Sequence, residues 1–302
     1  RCIDLLPAKT LKAIGAFFTP SPMAARVAAC FPKIDATTMV ALDPACGAGD
    51  LLLPLAALLP VERTASRTLS NWNEHLFGRD LSAEFVRAAR LRLLLLALTR
   101  GAKLDGTPAS VANLLSNIAL GDGLTDIKPY RSATHVVMNP PFGIVEPPTA
   151  TAWRRGHVTA AALFVDRALQ WCDPQTIIAA ILPEVLRTGT SYSKWRERVA
   201  LRSTALREVS LGLFSPDADV DVFLTSLVVR KNGPKTPKRT PSNRSDIVSV
   251  SDKFVVTVGP VVPHRDELKG PFRAFLHPGN ATAWKTIKRI NESRRFDGRL
   301  LK

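Results

Sequence analysis

Over its first 230 residues the chain alternates short apolar runs with amphipathic stretches, and this alternation implies a parallel sheet covered by helices on both faces. Buried strands are expected at 40–42, 75–78, 117–120, 135–138, 176–182, 205–211 and 222–230. Helices are expected at 51–59, 82–99 and 160–171, the second capped by Ser82 with Glu84 in its first turn. The polar stretch 62–73 reads as an insertion that lengthens the connection between the first two strands.

Four polar constellations fall at the ends of these strands. Asp43-Pro-Ala-Cys-Gly47-Ala-Gly49-Asp50 follows the first strand and opens a helix. Its glycines let a ligand approach the backbone. A dinucleotide fingerprint would place a third glycine where Leu52 stands, so the loop suits a ligand without a pyrophosphate. Asp43 is placed to meet a cationic amino group. Gly78-Arg79-Asp80 ends the second strand, where ribose hydroxyls are commonly held; a helix-capping aspartate is the plainer reading. Gly121-Asp122-Gly123 follows the third strand; Asp122 can accept from an adenine amino group, or form a simple turn.

The fourth constellation is the most informative. The run 136–138 leads into Asn139-Pro140-Pro141-Phe142. It delivers a polar amide to the carboxyl edge of the sheet, where open α/β folds bind ligands. Two prolines stiffen the backbone there. The Asn139 side-chain oxygen and the Pro140 carbonyl can both accept from one exocyclic NH2, orienting its lone pair for in-line attack on a methyl sulfonium. Phe142 offers a face for a flipped base.

Together these residues resemble the N6-adenine DNA methyltransferases. The family's acceptor motif is Asp, Asn or Ser followed by Pro-Pro and an aromatic, and 139–142 match it. The glycine motif matches 43–49. Upstream, Gly15-Ala-Phe-Phe18-Thr19-Pro20 is similar to the segment that closes over the methionine end of the cofactor, and its position first in the chain is the gamma motif order. The resemblance covers 12–230. It implies a Rossmann-like class I methyltransferase fold, with a seven-stranded, mostly parallel sheet whose last hairpin is reversed. S-adenosyl-L-methionine is the implied cofactor. Phe18, Thr19, Asp43, Ala45 and Gly47 would surround its methionine part, Asp80 its ribose and Asp122 its adenine. Asn139, Pro140 and Phe142 would hold the target adenine, with Pro141, Trp153 and Arg154 as further substrate contacts. A solvated basic loop is the alternative for 153–157. The helix at 161–169, with Phe164, would pack beside the cofactor. Two departures stand out: Asp50 and the leucines after it replace the usual small-plus-aromatic continuation, and Cys172-Asp-Pro-Gln175 replaces a glycine turn.

The formal net charge of +15 favours a polyanionic partner. Cys2, Cys30, Cys46 and Cys172 form no metal pattern, so a reduced, cytoplasmic protein without a structural metal is expected. No apolar run reaches the roughly 20 residues of a spanning helix. The segment 231–246, rich in Pro, Lys and Arg, reads as a basic linker. It separates the catalytic domain, 1–230, from 247–302, a short β/α appendage read as a partial target-recognition or accessory segment. That appendage would carry strands in 247–262 and a basic helix over 282–295. The chain starts at Arg1 and reads as a piece of a longer protein, with a missing recognition domain or a separate specificity or restriction subunit as partner. The function expected is adenine methylation of DNA in a restriction-modification or phage-defence system. Methylation of a protein glutamine or an RNA base, and a catalytically idle DNA-binding subunit, are the competing readings.

Overall fold

The computed structural model describes residues 19–32, 34–147, 153, 156–215, 218–230, 272–274 and 293–295. The chain divides into two compact units, Arg1–Lys238 and Arg239–Lys302.

The first unit is built on strands β1 (Ala41–Asp43), β2 (Leu76–Asp80), β3 (Ile118–Leu120), β4 (His135–Met138), β7 (Ile177–Pro183), β8 (Ser203–Ser215) and β9 (Ala218–Val229). A small antiparallel pair, β5 (Ile144–Val145) and β6 (Val158–Thr159), stands apart from them. Among the described residues the main sheet has seven strands in the order β3-β2-β1-β4-β7-β9-β8. β3 through β7 run parallel. β9 is antiparallel to both of its neighbours, which reverses the final hairpin. This is the Rossmann-like class I methyltransferase fold.

Side chains alternate across the sheet and feed two cores. On β4, Val137 enters one core and Val136 and Met138 the other; on β7, Ala179 and Ile181 oppose Ile178, Ala180 and Leu182. The first core is closed by α1 (Ser21–Ala28), α2 (Leu52–Ala56), α3 (Ala65–His75), α4 (Ala83–Thr99) and α5 (Pro108–Ala112). On the other face lie α6 (Lys128–Ser132), α7 (Ala160–Trp171) and α9 (Ser193–Arg202), with α8 (Val185–Thr188) after β7.

Several sequence expectations change here. The segment read as a polar insertion is largely the helix α3. Its buried Ala65, Thr68, Leu69 and Trp72 fall at i, i+3, i+4 and i+7, a stripe obscured by the polar residues between them. Trp72 is fully buried, and its indole N–H donates to the Pro60 carbonyl at 2.8 Å. The helix expected over 51–59 shortens to α2 and continues as turns, and the final two strands run longer than expected. Ser82 caps α4 as expected, its hydroxyl accepting from the Phe85 N–H at 3.2 Å. Gln175 has φ +76°, so the left-handed turn before β7 survives without its glycine.

In the second unit, β10 (Phe272–Ala274) pairs antiparallel with β11 (Ser293–Arg295). The helix expected over 282–295 therefore does not reach its predicted end, because the backbone of those last three residues is spent on a strand ladder. The linker at 231–246 and the strands expected in 247–262 lie outside the described residues.

Candidate active site

β1, β2, β3 and β4 all point their carboxyl ends at one edge of the sheet. Asp43 is the last residue of β1 and Asp80 of β2; Asp122 and Asn139 follow β3 and β4. The strand order reverses direction between β1 and β4, and the crevice at such a switch point is where open α/β sheets bind ligands. A cavity of ≈ 340 Å³ opens there. Thr19, Asp43, Ala45, Gly47, Asp80, Asp122, Asn139 and Pro141 line it, and so does Phe164 of α7.

The remaining expected site residues are elsewhere. Pro140 is buried and Phe142 half-buried beside the cavity; neither belongs to its lining. The Phe142 ring meets Phe214 of β8 edge-on, with centroids 5.7 Å apart and planes at 88°. Trp153 sits in the second core, 5% exposed, and does not stand free on the surface, because its indole packs among buried apolar side chains with its ring 6.2 Å from that of Tyr192. Phe18 and Arg154 lie outside the described residues.

The glycine loop is held by the carboxylates around it. Gly47 has φ +50°, a left-handed conformation that glycine takes without strain. Its N–H donates to Asp80 Oδ2 at 2.9 Å, while Asp80 Oδ1 accepts from the Ser82 N–H at 2.9 Å. Asp80 therefore joins two loops, which goes beyond the capping role its sequence position suggested. Asp122 Oδ1 accepts from the Leu124 N–H at 2.8 Å, a turn that also leaves the residue on the cavity wall. At Gly123 an added Cβ would come within 2.0 Å of the Pro44 carbonyl oxygen, so only glycine lets the loops after β1 and β3 meet. The buried Tyr130 hydroxyl donates to the Gly123 carbonyl at 2.8 Å and fixes that turn.

The acceptor motif is stapled as firmly. Thr159 Oγ1 donates to the Phe142 carbonyl at 2.9 Å, and the Ala160 N–H donates to the Gly143 carbonyl at 2.9 Å. The Thr159 N–H in turn donates to the Tyr192 hydroxyl at 3.0 Å. Asn139 Nδ2 donates to Thr19 Oγ1 at 2.9 Å, and Asn139 Oδ1 is shielded from solvent.

Sequence reasoning missed Leu81, Phe85, Thr159 and Arg92. Leu81 offered a signal, an apolar residue directly after the strand-terminal Asp80; it lines the cavity and is 76% exposed. Arg92 offered none, since its partner Asp50 is 42 residues away.

Electrostatics separate the acidic groups. Burial pushes the Asp43 carboxyl up to about 8, opposed by the Ala45 N–H and reinforced by Asp80 and Asp50. Asp80 is raised too, chiefly by burial. Asp50 is ion-paired with Arg92 at 2.7 Å. A ligand cation would relieve the burial cost at Asp43, so the site suits a molecule carrying an amino group, with Asp80 and Asp122 as further acceptors on the cavity wall. S-adenosylmethionine, the cofactor of this fold, fits that chemistry. Asp43 would meet its amino group and Asp80 its ribose, while Leu81, Phe85 and Phe164 supply apolar walls.

Solved structures share the fold. A modification subunit of a putative type I restriction enzyme from Vibrio vulnificus YJ016 superposes with a TM-score of 0.50 at 20% identity, over 72% of this chain and 45% of that one. The M protein of the type I restriction enzyme EcoKI gives 0.51 at 18% identity, over 72% and 45%. DrdV, in a complex with DNA, gives 0.56 at 14% identity, over 76% and 28%. This chain thus spans less than half the length of each of these proteins. No curated protein matches it. Residues 4–180 match the sequence model of the N-6 DNA Methylase family, a span that holds the glycine loop, both strand-terminal aspartates and the acceptor motif. The chain belongs to that family.

Proposed function

We propose that the chain transfers the methyl group of S-adenosylmethionine to the N6 amino group of an adenine extruded from DNA, as part of a restriction-modification or phage-defence system. The observation that carries this reading is the meeting of Asn139 and Asp43 at the switch point of the sheet, on the wall of one cavity.

The cofactor supplies an electrophilic methyl on a sulfonium. Asn139 Oδ1 and the Pro140 carbonyl each accept one N6 hydrogen and so turn the nitrogen electron pair out of conjugation toward that methyl. Transfer would form the N6–C bond as the S–C bond of the cofactor breaks, with the thioether S-adenosylhomocysteine as leaving group; the surplus N6 proton would pass to water, because the two carbonyl oxygens orient the amine without being basic enough to keep its proton. Because Asn139 Oδ1 is shielded from solvent, an amine reaches it only by leaving the duplex stack and entering the protein. Phe142, held edge-on by Phe214, would stack on the extruded base.

The net charge of +15 supports a nucleic-acid substrate. The likeness to type I modification subunits supports assembly with a specificity or restriction subunit. We assign 1–230 to catalysis, 231–246 to a linker and 247–302 to an accessory segment. Parallel transfer of labelled methyl to DNA, RNA and protein tests the reading. N6-methyladenine in DNA is the expected product, and label confined to RNA or to a protein glutamine would overturn it.

A further inference from the structure

We propose that Asp50 and Arg92 are positioning residues for methyl transfer, which fix the amide of Asn139 through Thr19; this rests on the reading of Asn139 as the acceptor-site residue.

Four side chains from separated parts of the chain form one relay. Arg92, on α4, donates through Nη1 to the Ala48 carbonyl at 2.6 Å and to Asp50 Oδ1 at 2.7 Å. The other oxygen, Asp50 Oδ2, accepts from the Thr19 N–H at 3.0 Å. Thr19 Oγ1 accepts from Asn139 Nδ2 at 2.9 Å, across 120 residues of sequence. The members are well shielded: Thr19 is 6% exposed, and the side chains of Asp50 and Arg92 are 16% and 29% exposed. Each contact thus lies in a setting where water is a poor substitute partner.

The relay matters because of what an amide needs in order to serve as an acceptor. The terminal torsion of asparagine is broad, so the side chain alone does not fix where its oxygen lies. Misplacing a reacting group by about 1 Å costs on the order of a hundredfold in rate. Pro140 and Pro141 hold the backbone of Asn139 but not its side chain. Thr19 holds the side chain, and Thr19 is placed only by the segment that carries it. Asp50 ties that segment to the glycine loop, and Arg92 fixes the rotamer of Asp50 by holding its second oxygen. The acidic residue that departs from the usual glycine-loop continuation thereby gains a purpose. It also follows that Asp50, already neutralised by Arg92, is not the counter-ion of the cofactor; that role falls to Asp43.

The test uses the full-length protein with its partner subunits. Wild type is compared with Thr19→Val, Thr19→Ser, Asp50→Ala, Asp50→Asn and Arg92→Gln. Two quantities are read: hydrogen exchange of the Asn139 side-chain amide by 15N NMR, and the single-turnover methyl-transfer rate at saturating cofactor and DNA. Thr19→Val and Asp50→Ala should speed the exchange severalfold and slow transfer by roughly ten- to a hundredfold. Arg92→Gln should do the same more weakly. Thr19→Ser, which keeps the hydroxyl acceptor in place, should recover most of both; Asp50→Asn, which can turn its one oxygen to only one of the two donors and sets an NH2 against the other, should fall between Asp50→Ala and wild type. Unchanged amide exchange in Asp50→Ala overturns the relay, whether or not the protein methylates DNA. Faster exchange with transfer at the wild-type rate overturns the positioning role. A wild-type protein whose Asn139 amide is protected through Thr19 and Asp50, yet which methylates no adenine, supports the relay and sinks the proposed substrate instead.

Discussion

Asn139 and Thr19 are joined side chain to side chain, Nδ2 to Oγ1 at 2.9 Å, so the acceptor motif after β4 is tied to the segment that precedes the first described helix. On the proposed function, binding and chemistry are divided between the two halves of the sheet edge, and substitutions on either side should have separable effects.

On the acceptor side, Asn139→Ala removes the oxygen that orients the target amine. Methyl transfer should be lost while cofactor affinity by calorimetry changes less than about threefold, a shift below 1 kcal/mol. Full activity in this variant would exclude the proposed chemistry.

On the cofactor side, Asp80→Ala removes both the expected ribose contact and the bond that holds the Gly47 N–H. Hydrogen bonds to a charged group contribute about 1.5–3 kcal/mol. Cofactor binding should therefore weaken roughly ten- to a hundredfold. An unchanged dissociation constant would remove Asp80 from the site.

Asp43 gives a pH signature. An unfolded aspartate titrates near about 3.9, whereas burial holds this one at about 8 in the cofactor-free fold. Between those values the native state keeps a proton that the unfolded chain has released. Native stability should fall as pH rises from about 4 to about 8 and level off above that. An amino cation beside Asp43 favours the carboxylate, so cofactor binding near neutral pH should release a proton, and affinity should rise with pH toward 8. Calorimetry in two buffers of different ionisation enthalpy measures that proton. Its persistence in Asp43→Asn would assign it to another group.

Gln175 offers a test free of the chemistry. Its φ of +76° carries a steric cost of roughly 1–2 kcal/mol for a residue with a Cβ. Gln175→Gly should relieve that cost, less about 0.5–1 kcal/mol of entropy that glycine loses on folding, for a net gain of about 0.5–1 kcal/mol and a rise in melting temperature of about 1–4 °C. No gain, or a loss, would mean that the Gln175 side chain contributes more than its backbone costs.

Duplex DNA binding should fall steeply with salt, given the charge of +15. Phosphate contacts position a protein without conveying sequence, so the 302-residue chain by itself should show weak site preference in competition between duplexes at fixed salt. A strong preference for one short site would show that 247–302 already forms a working recognition element.

Much of the fold was legible because strand ends and polar motifs coincide. β4 was readable to the residue, since an apolar run stops at a motif that cannot continue a strand, and α7 was bounded by its uninterrupted apolar face. α3 was not, because polar residues surround its narrow buried stripe. Trp153 looked exposed among arginines and is buried, a matter of tertiary packing that neighbouring residues do not encode. The Asp50–Arg92 pair was invisible for the same reason: nothing local marks two residues on different elements as partners.

The last long strand of the catalytic unit carries a consequence for synthesis. β9 lies between β7 and β8, so the strand made last is an interior one. While a ribosome has yet to release residues beyond about 218, β8 lacks its ladder, and Phe214 has no fixed position from which to brace Phe142. The cofactor half of the sheet needs none of this, since β1 to β4 pair among themselves. A nascent chain would thus hold the loops of the cavity and the Thr159 staple on 139–142 before the sheet closes, and the Phe214 brace on the Phe142 ring would form only with the closing strand.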